Sequence, residues 1–430
     1  MEMFCGMCKT EGKPACKTKR LISETKDRKA MKEKKKRTAF DASVGSFVAA
    51  TVIIFIMMIL TYMLTFMVPG GGIPFWKWAL SPILVLFGED SGSLIAIIAL
   101  LLGLGGVFNC LDKFGVLKFL LDKITEKFGK NRKMLLAVIP LFFMMLGSVA
   151  GTFEECVPLV PVVVALAIRL GWDALTGLGM SILAAGCGFA AGICNPFTIG
   201  VAQELVGLPM FSGMWLRVVN FGLIYGLLIF FLMMYVKKIE KPMDSSLISE
   251  KVSNYKIPKA EYYLDNKWKK LMITFGNGVL SVLPGVLLIL MANSIRFTLM
   301  EGNILDTILQ GAIMVAEGLP RWSVILFVYA LVLFMNFFIP SGSAKAFLLM
   351  PLIVPTAQAF DISAQLCIIA FAFGDGFSNV FYPTNPVLLI SLGLANVSYG
   401  KWAKWSVKFQ LVNIVLTGVI LLVGLAIGYC

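Results

Sequence analysis

Long apolar segments separated by short polar ones run along most of the chain. Several of them exceed the roughly 18–20 residues that a helix needs to cross a lipid bilayer. Because a helix satisfies its backbone polar groups within one segment, the pattern predicts an all-α polytopic membrane protein. The apolar segments fall at about 44–67, 92–110, 134–170, 174–208, 214–236, 271–297, 322–361, 363–400 and 406–429.

Composition supports this prediction. Of the 430 residues 58% are hydrophobic, and the mean hydropathy is +0.84. A soluble protein of this length could not bury so much apolar surface. The first segment, 44–67, is too long for a signal-peptide core and no small-residue cleavage site follows it, so we interpret it as a retained first transmembrane helix.

Two segments, 134–170 and 322–361, are too long for one crossing and have polar middles. The first contains "LGSVAGTFEECVPLVP" and the second "FIPSGSAKAFLLMP". Each predicts a re-entrant hairpin, in which a helix enters the membrane, turns at a polar tip and returns to the same face. The alternative for each segment is one ordinary crossing followed by a buried loop.

The distribution of charge predicts the topology. With the amino terminus inside, 33 of the 38 Lys/Arg lie at cytoplasmic positions, as the positive-inside rule favours. The arrangement has seven crossings, two hairpins, a cytoplasmic loop at 237–270 and an external carboxyl terminus, and it predicts a multi-pass protein of the cytoplasmic (inner) membrane. The amphipathic segments 111–133 and 297–321 are typical of interfacial helices on opposite faces.

The amino-terminal tail, 1–43, is basic, since residues 1–41 hold 13 Lys/Arg against 6 Asp/Glu. Such cytoplasmic juxtamembrane tails are common, so we do not expect nucleic-acid binding. The chain has no His, and Cys5, Cys8 and Cys16 lack the fourth ligand of a tetrahedral zinc site. No metal site and no cofactor are therefore predicted.

The chain repeats itself at a constant offset of 190 residues, without a gap. Because the first copy (92–236) starts from the cytoplasmic face and the second (271–430) from the outer face, the repeat is predicted to be inverted. Inverted repeats are typical of secondary transporters with a site between the halves. The matching positions are Pro161 and Pro351, Gly186 and Gly376, Asn195-Pro196 and Asn385-Pro386, and Trp215 and Trp405.

Two helices, 174–208 and 363–400, are predicted to be discontinuous. Their middles carry "GICNPFTIG" and "VFYPTNPVLLI", in which Pro removes a backbone donor and Gly lets the chain unwind. Freed carbonyls can then bind a cation, and half-helix N-termini can bind an anion. The alternative is a pair of proline kinks that serve packing only.

Charged residues fall at the predicted hairpin tips, where a charge at mid-membrane costs roughly 3 kcal/mol or more without a partner. Glu154 and Glu155 lie at the first tip and Lys345 at the second, and Glu155 and Lys345 are equivalent at the offset of 190. Two interpretations stay open: a Glu155–Lys345 ion pair that closes the tips, or contact with substrate, ion or proton. Asp375, in "FGDGFSN", is a candidate cation or proton site, with sodium or a proton as the coupling ion.

Arg217 and Arg296 are expected to snorkel to the outer interface. The other polar groups near the tips and breaks are site candidates. The predicted substrate- or ion-binding residues are Thr152, Glu154, Glu155, Cys194, Asn195, Pro196, Thr198, Ser341, Ser343, Lys345, Asp375, Asn379, Thr384 and Asn385.

The motifs "GTFEE", "NPFTIGVAQ", "FSGMWLR", "FGDGFSN", "YPTNP" and "YGKWAKW" occur in order. Over about residues 44–420 the chain resembles the YfcC/DcuC-type carriers of the ion-transporter superfamily. The resemblance implies a scaffold domain, a transport domain and carriage of C4-dicarboxylates or basic amino acids, and a homodimer stays open. It also implies substrate and sodium contacts at Gly151–Glu155 with Cys194–Thr198, and at Ser341–Lys345 with Thr384–Pro386.

These observations predict a secondary active transporter of a small organic ion, and not an enzyme, because no nucleophile–base set is in register. A channel is disfavoured because polarity gathers at two symmetric breaks instead of forming continuous stripes. Adjacent Glu154 and Glu155 favour a cationic or zwitterionic solute, whereas Lys345 and the tip hydroxyls favour a carboxylate. An amino acid satisfies both, and a C4-dicarboxylate is the alternative.

Overall fold

The computed structural model describes residues 44–68, 72–88, 91–116, 131–240 and 267–430, together with positions 119, 123 and 126. Within these ranges the regular structure is helical throughout and contains no strand. The basic tail with its three cysteines, about half of segment 111–133 and most of loop 237–270 lie outside them. The predictions made for those parts stay predictions.

Among the described residues, the first half of the chain contains ten α-helices. They begin and end as follows: α1 Val44–Thr65, α2 Phe75–Ala79, α3 Ser81–Leu84, α4 Ser91–Lys113, α5 Arg132–Met145, α6 Val160–Arg169, α7 Ala174–Leu178, α8 Ala184–Ala191, α9 Val201–Leu205 and α10 Met214–Glu240. Short π-helical turns extend them at Leu146–Ala150 after α5, Gly179–Leu183 between α7 and α8, and Pro196–Gly200 before α9. A 3₁₀ helix, Glu154–Leu159, precedes α6.

The second half is built from longer helices. These are α11 Lys267–Glu301, α12 Ile304–Glu317, α13 Arg321–Phe338, α14 Gly342–Gln358, α15 Ala364–Asn379, α16 Pro386–Leu394 and α17 Tyr399–Ala426. Across the described residues, seven helical stretches are long and apolar enough to cross a membrane. The protein is therefore a multi-pass membrane protein. The number is not a count of crossings, since two of the seven are the first arms of the hairpin segments, Arg132–Ala150 and Arg321–Phe338.

Both hairpin segments double back on themselves. A guanidinium nitrogen of Arg132, at the start of the first segment, donates to the carbonyl of Leu170 at its end, at 3.0 Å. In the second segment Arg321 donates to the carbonyl of Asp361 at 2.7 Å. A single crossing would place such ends roughly 30 Å apart. The position of the two hairpins in a bilayer, and the inverted relation between the repeats, stay predictions.

The two predicted discontinuous helices are interrupted at their Asn-Pro pairs. The first leaves helical geometry at Gly192, which adopts a left-handed conformation with φ of 47°, and resumes at Pro196. The second ends at Asn379 and resumes at Pro386. A proline suits the first position of a helix, because that position has no intrahelical use for an N–H.

The two broken helices pack against each other through a reciprocal contact. A Cβ added to Gly186 would lie 2.3 Å from a side-chain carbon of Val380, and one added to Gly376 would lie 2.4 Å from backbone atoms of Ala190. Gly186 and Gly376 are mates at the offset of 190, and so are Ala190 and Val380. A two-fold relation between the helices produces such a self-complementary contact.

The remaining helices form two groups around this pair. The return arm of each hairpin packs on the broken helix of the other repeat: α14 lies on α9, and α6 lies on α16. A separate group of α1, α4 and α11 packs together and contacts α16 and the Glu154–Leu159 turn. The hairpin tips and breaks thus lie beside a helical group that belongs to neither hairpin.

Candidate functional site

Lys345, near the second tip, is fully buried and bound on three sides. Its ammonium nitrogen lies 2.7 Å from Oδ1 of Asp375, which is also fully buried. It also donates to Oδ1 of Asn336 and to the carbonyl of Ile339 at 3.2 Å. The partner of Lys345 is therefore Asp375, and the Glu155–Lys345 pair that the sequence allowed is not formed. The reason is geometric: α15 presents its carboxylate directly to the start of α14.

A chain of side-chain amides extends this ion pair to the second break. Asn336 donates to Oδ1 of Asn379 at 2.9 Å, and Asn379 donates to Oδ1 of Asp375 at 3.2 Å. Asn385, at the break, donates to the same Asn379 oxygen at 3.0 Å. Because buried amides without partners are unfavourable, this network fixes the second hairpin to the second break. Asn336 was not among the predicted site residues. As a lone amide in an otherwise apolar hairpin arm, it could have been identified as a buried polar group that needs a partner.

The asparagine of each break caps the half-helix that follows it. Oδ1 of Asn195 accepts from the backbone N–H groups of Phe197 and Thr198. Oδ1 of Asn385 accepts from Val387 and Leu388 in the same way. Asn is among the best N-cap residues, because its side chain satisfies N–H groups that have no intrahelical partner. In both repeats the Asn-Pro pair therefore supplies the N-cap and the first residue of the half-helix.

The first tip and the first break are held together by backbone contacts. The hydroxyl of Ser148 accepts from the N–H of Ile193 at 2.9 Å, and the main-chain carbonyl of Ser148 accepts from the N–H of Cys194 at 3.0 Å. Thr152 donates its hydroxyl to the carbonyl of Leu146 at 3.1 Å, at the end of the incoming arm. Thr152 therefore has a structural partner of its own.

The second tip lies against the first break, close to several buried polar atoms that have no hydrogen-bond partner. A Cβ added to Gly342, at the second tip, would lie 2.6 Å from both Oδ2 of Asp375 and a methyl carbon of Thr198. The second tip and the first break therefore meet there. The unpartnered atoms include Oδ2 of Asp375, Oγ1 of Thr198, Oγ1 of Thr384, Oε2 of Glu155 and Nδ2 of Asn195.

A cavity of about 100 Å³ lies between the separate helical group and the two tips. Four predicted site residues line it, namely Glu154 of the first tip, Ser341 and Ser343 of the second, and Asn385 of the second break. The opposite wall belongs to α4 and α11. The complete lining is Leu94, Ile97, Glu154, Ile289, Asn293, Arg296, Pro340, Ser341, Ser343, Ala344, Asn385, Pro386 and Val387.

Comparison with known proteins assigns the family. The model of the DcuC family, described as C4-dicarboxylate anaerobic carriers, matches residues 80–265 and 260–426. The chain belongs to the DcuC family. This DcuC-family protein is accordingly a membrane transporter and not an enzyme.

Two curated proteins are similar to this DcuC-family chain. One, from Escherichia coli (strain K12), is named "Putative basic amino acid antiporter YfcC" and is 25% identical over 403 residues, covering 80% of each chain. The other, an uncharacterized protein of Haemophilus influenzae, is 24% identical over 375 residues, covering 74% of this chain and 73% of its own. Among solved structures, the YdaH transporter of Alcanivorax borkumensis matches with a TM-score of 0.45 and 14% identity, over 88% of this chain and 99% of that one.

Two arginines of this DcuC-family protein were predicted to snorkel to the outer interface, and Arg217 does not. Arg217 is only 1% exposed, and its guanidinium donates to the carbonyls of Ile193 at 3.2 Å and Phe211 at 3.1 Å. It therefore holds a freed carbonyl of the first break instead of snorkelling. Arg296 is half-buried and lines the cavity, and its place at the outer interface stays a prediction. The signal for both was a positive charge within an apolar helix.

The structure sorts the predicted site residues into three places. The cavity wall takes Glu154, Ser341, Ser343 and Asn385. Around the buried ion pair are Lys345, Asp375 and Asn379, and Thr384 is buried beside Asn385. The first tip and first break hold Thr152, Glu155, Cys194, Asn195, Pro196 and Thr198, none of which lines the cavity.

Proposed function

We propose that the protein is a secondary active transporter of the cytoplasmic membrane that carries an amino acid by alternating access. Membership of a carrier family supports transport. The printed name of the Escherichia coli relative, "Putative basic amino acid antiporter YfcC", supports an amino acid as the solute. Coupling is proposed to be exchange or an ion gradient, with sodium or a proton as the ion.

The observation that carries the proposal is a cavity lined by residues of opposite charge. Glu154 from the first tip and Arg296 from α11 both line it. A carboxylate suits a substrate ammonium, and a guanidinium suits a substrate carboxylate, since Arg binds carboxylates through a planar pair of donors. Lys345 was a candidate partner of a substrate carboxylate in the sequence. It is paired with Asp375 and does not line the cavity.

The position of the cavity supports alternating access. One wall is made by α4 and α11, and the other by the hairpin tips and the half-helix α16, which contacts both α11 and the hairpin arm α6. A solute held between two groups can be exposed to either side when one group moves against the other. The hydroxyls of Ser341 and Ser343, and the amide of Asn385, would then move with the solute.

A C4-dicarboxylate is the second candidate. The description of the family supports it, as do the hydrogen-bond donors that line the cavity together with Arg296, namely Ser341, Ser343 and Asn385. The presence of Glu154 disfavours it, because a carboxylate beside a dianion is repulsive. The two candidates therefore differ in what Glu154 does.

Counterflow separates the candidates. Proteoliposomes are loaded with unlabelled lysine, serine, aspartate or succinate, and entry of the labelled solute is measured for wild type, Glu154→Gln and Glu204→Gln. Glu204 is exposed on α9 and outside the cavity, so its variant is the matched control. We expect counterflow of an amino acid, reduced at least tenfold by Glu154→Gln only. Counterflow of succinate alone, unchanged in Glu154→Gln, contradicts the amino acid proposal.

A further inference from the structure

The ammonium of Lys345 is enclosed by oxygen atoms. It has three N–H donors, and three oxygens receive them: a carboxylate oxygen of Asp375, the amide oxygen of Asn336 and the main-chain carbonyl of Ile339. Lys345, Asp375 and Asn336 are at most 1% exposed, so water does not supply these contacts. We name these three oxygens the Lys345 cage.

The oxygens of the Lys345 cage are of the type that hard metal cations bind. Carboxylate and carbonyl oxygens are the usual ligands of such ions. Ile339 directly follows the hairpin arm α13, so its carbonyl lies at a helix end, as do the carbonyls that bind sodium in transporters built from repeats. Oδ2 of Asp375 is buried without a partner, so the carboxylate has a further oxygen available to a cation.

We propose that the Lys345 ammonium is a built-in cation that fills a monovalent cation site at the second hairpin tip. In the wild type no free sodium ion binds at this position. Removal of the ammonium opens the site to sodium. The inference deepens the proposed function, because it concerns the coupling ion of the same carrier, and it rests on that function for its meaning in transport.

The sequence repeat shows why this site differs from its counterpart. The residue equivalent to Lys345 is Glu155, which has a buried carboxylate oxygen without a partner. One tip thus supplies its own positive charge, whereas the other carries a negative charge. The Lys345 ammonium thus balances the Asp375 carboxylate with a positive charge that travels with the protein, so the second tip needs no free cation at this position.

The test is the dependence of the melting temperature on sodium. Wild type, Lys345→Ala and Lys345→Ala/Asp375→Asn are purified, and each is melted in sodium chloride and in choline chloride at equal ionic strength. Choline is too large for the cage. For Lys345→Ala we expect a melting temperature higher in sodium by at least about 3 °C, since a ligand that binds only the folded state stabilises it. For the wild type we expect a smaller difference.

The double variant is the control, because it lacks the carboxylate charge and should lose the sodium effect. Lys345→Ala that melts alike in the two salts overturns the proposal, and so does Lys345→Ala that cannot be recovered folded in sodium. A sodium effect equal in the single and double variants also overturns it. Melting needs no substrate, so these outcomes are independent of whether the proposed amino acid is correct.

Discussion

The ammonium nitrogen of Lys345 lies 2.7 Å from Oδ1 of Asp375, and neither side chain reaches solvent. The two residues are 30 positions apart and belong to different helices, α14 and α15. A buried ion pair adds little net stability, but the loss of one partner leaves an uncompensated charge. Stability therefore reports which carboxylate is the true partner.

Lys345→Met is expected to destabilise the protein by roughly 3–5 kcal/mol, because it leaves the Asp375 carboxylate alone in the interior. Combining it with Asp375→Asn removes both charges and should restore most of that loss. Chemical denaturation in detergent measures the three variants. The matched control is Lys345→Met with Glu155→Gln, in which we expect no recovery. Recovery in the control and not in the Asp375 pair contradicts the assignment.

The capping asparagines are expected to matter for transport more than for folding. Asn195→Ala and Asn385→Ala each remove an N-cap, which costs about 1 kcal/mol, and each should abolish transport. Asn195→Asp keeps the capping oxygen but loses the unpartnered Nδ2 donor. If that donor serves the transported solute, Asn195→Asp should still fold, because the N-terminus of a helix favours a carboxylate, and should be inactive. Normal uptake by Asn195→Ala at wild-type expression rejects Asn195 as a site residue.

The reciprocal glycine contact should tolerate no side chain at Gly376. Its added Cβ meets backbone atoms of Ala190, so Gly376→Ala should destabilise by roughly 1–3 kcal/mol through overpacking. Gly186→Ala meets only the side chain of Val380 at its closest approach, and Val380→Ala should partly rescue it. Thermal melting checks both. Gly222→Ala is the control, since nothing lies within 4 Å of its added Cβ, and equal losses in Gly376→Ala and Gly222→Ala contradict the packing argument.

Arg217 is expected to maintain the first break. Arg217→Gln removes the guanidinium that reaches the carbonyls of Ile193 and Phe211, and one lost charge-assisted hydrogen bond is worth roughly 1.5–3 kcal/mol. Arg217→Lys keeps the charge but cannot span both carbonyls, so it should recover only part of the stability and uptake. Melting and counterflow measure the series. Full activity in Arg217→Gln means that the break holds its shape without this contact.

The amino terminus is predicted to be cytoplasmic and the carboxyl terminus external. In a cysteine-less background, single cysteines are placed at position 10 and kept at Cys430, which is exposed. A membrane-impermeant thiol reagent added to intact cells should label only Cys430. Labelling of both positions from the same side refutes the predicted topology.

The sequence alone determined those features that depend on local chemistry. Runs of apolar residues longer than a bilayer is thick require a membrane, whatever packs against them. Asn195-Pro196 and Asn385-Pro386 favour the start of a helix, because a capping amide and a residue without N–H suit that position. The repeat with its offset of 190 residues is also visible in the sequence itself. The sequence therefore allowed three predictions: a helical membrane protein, two interrupted helices and a carrier family.

Only the tertiary structure decided which distant side chains meet. A buried Lys345 needs a negatively charged partner, and from the sequence Glu154, Glu155 and Asp375 were all candidates for that partner. Position along a helix does not state which face of it another helix covers, so neither the Lys345–Asp375 pair nor the inward position of Arg217 could be inferred. The physical reason is that helix–helix contacts are set by the packing of whole surfaces, whereas sequence periodicity describes one helix at a time.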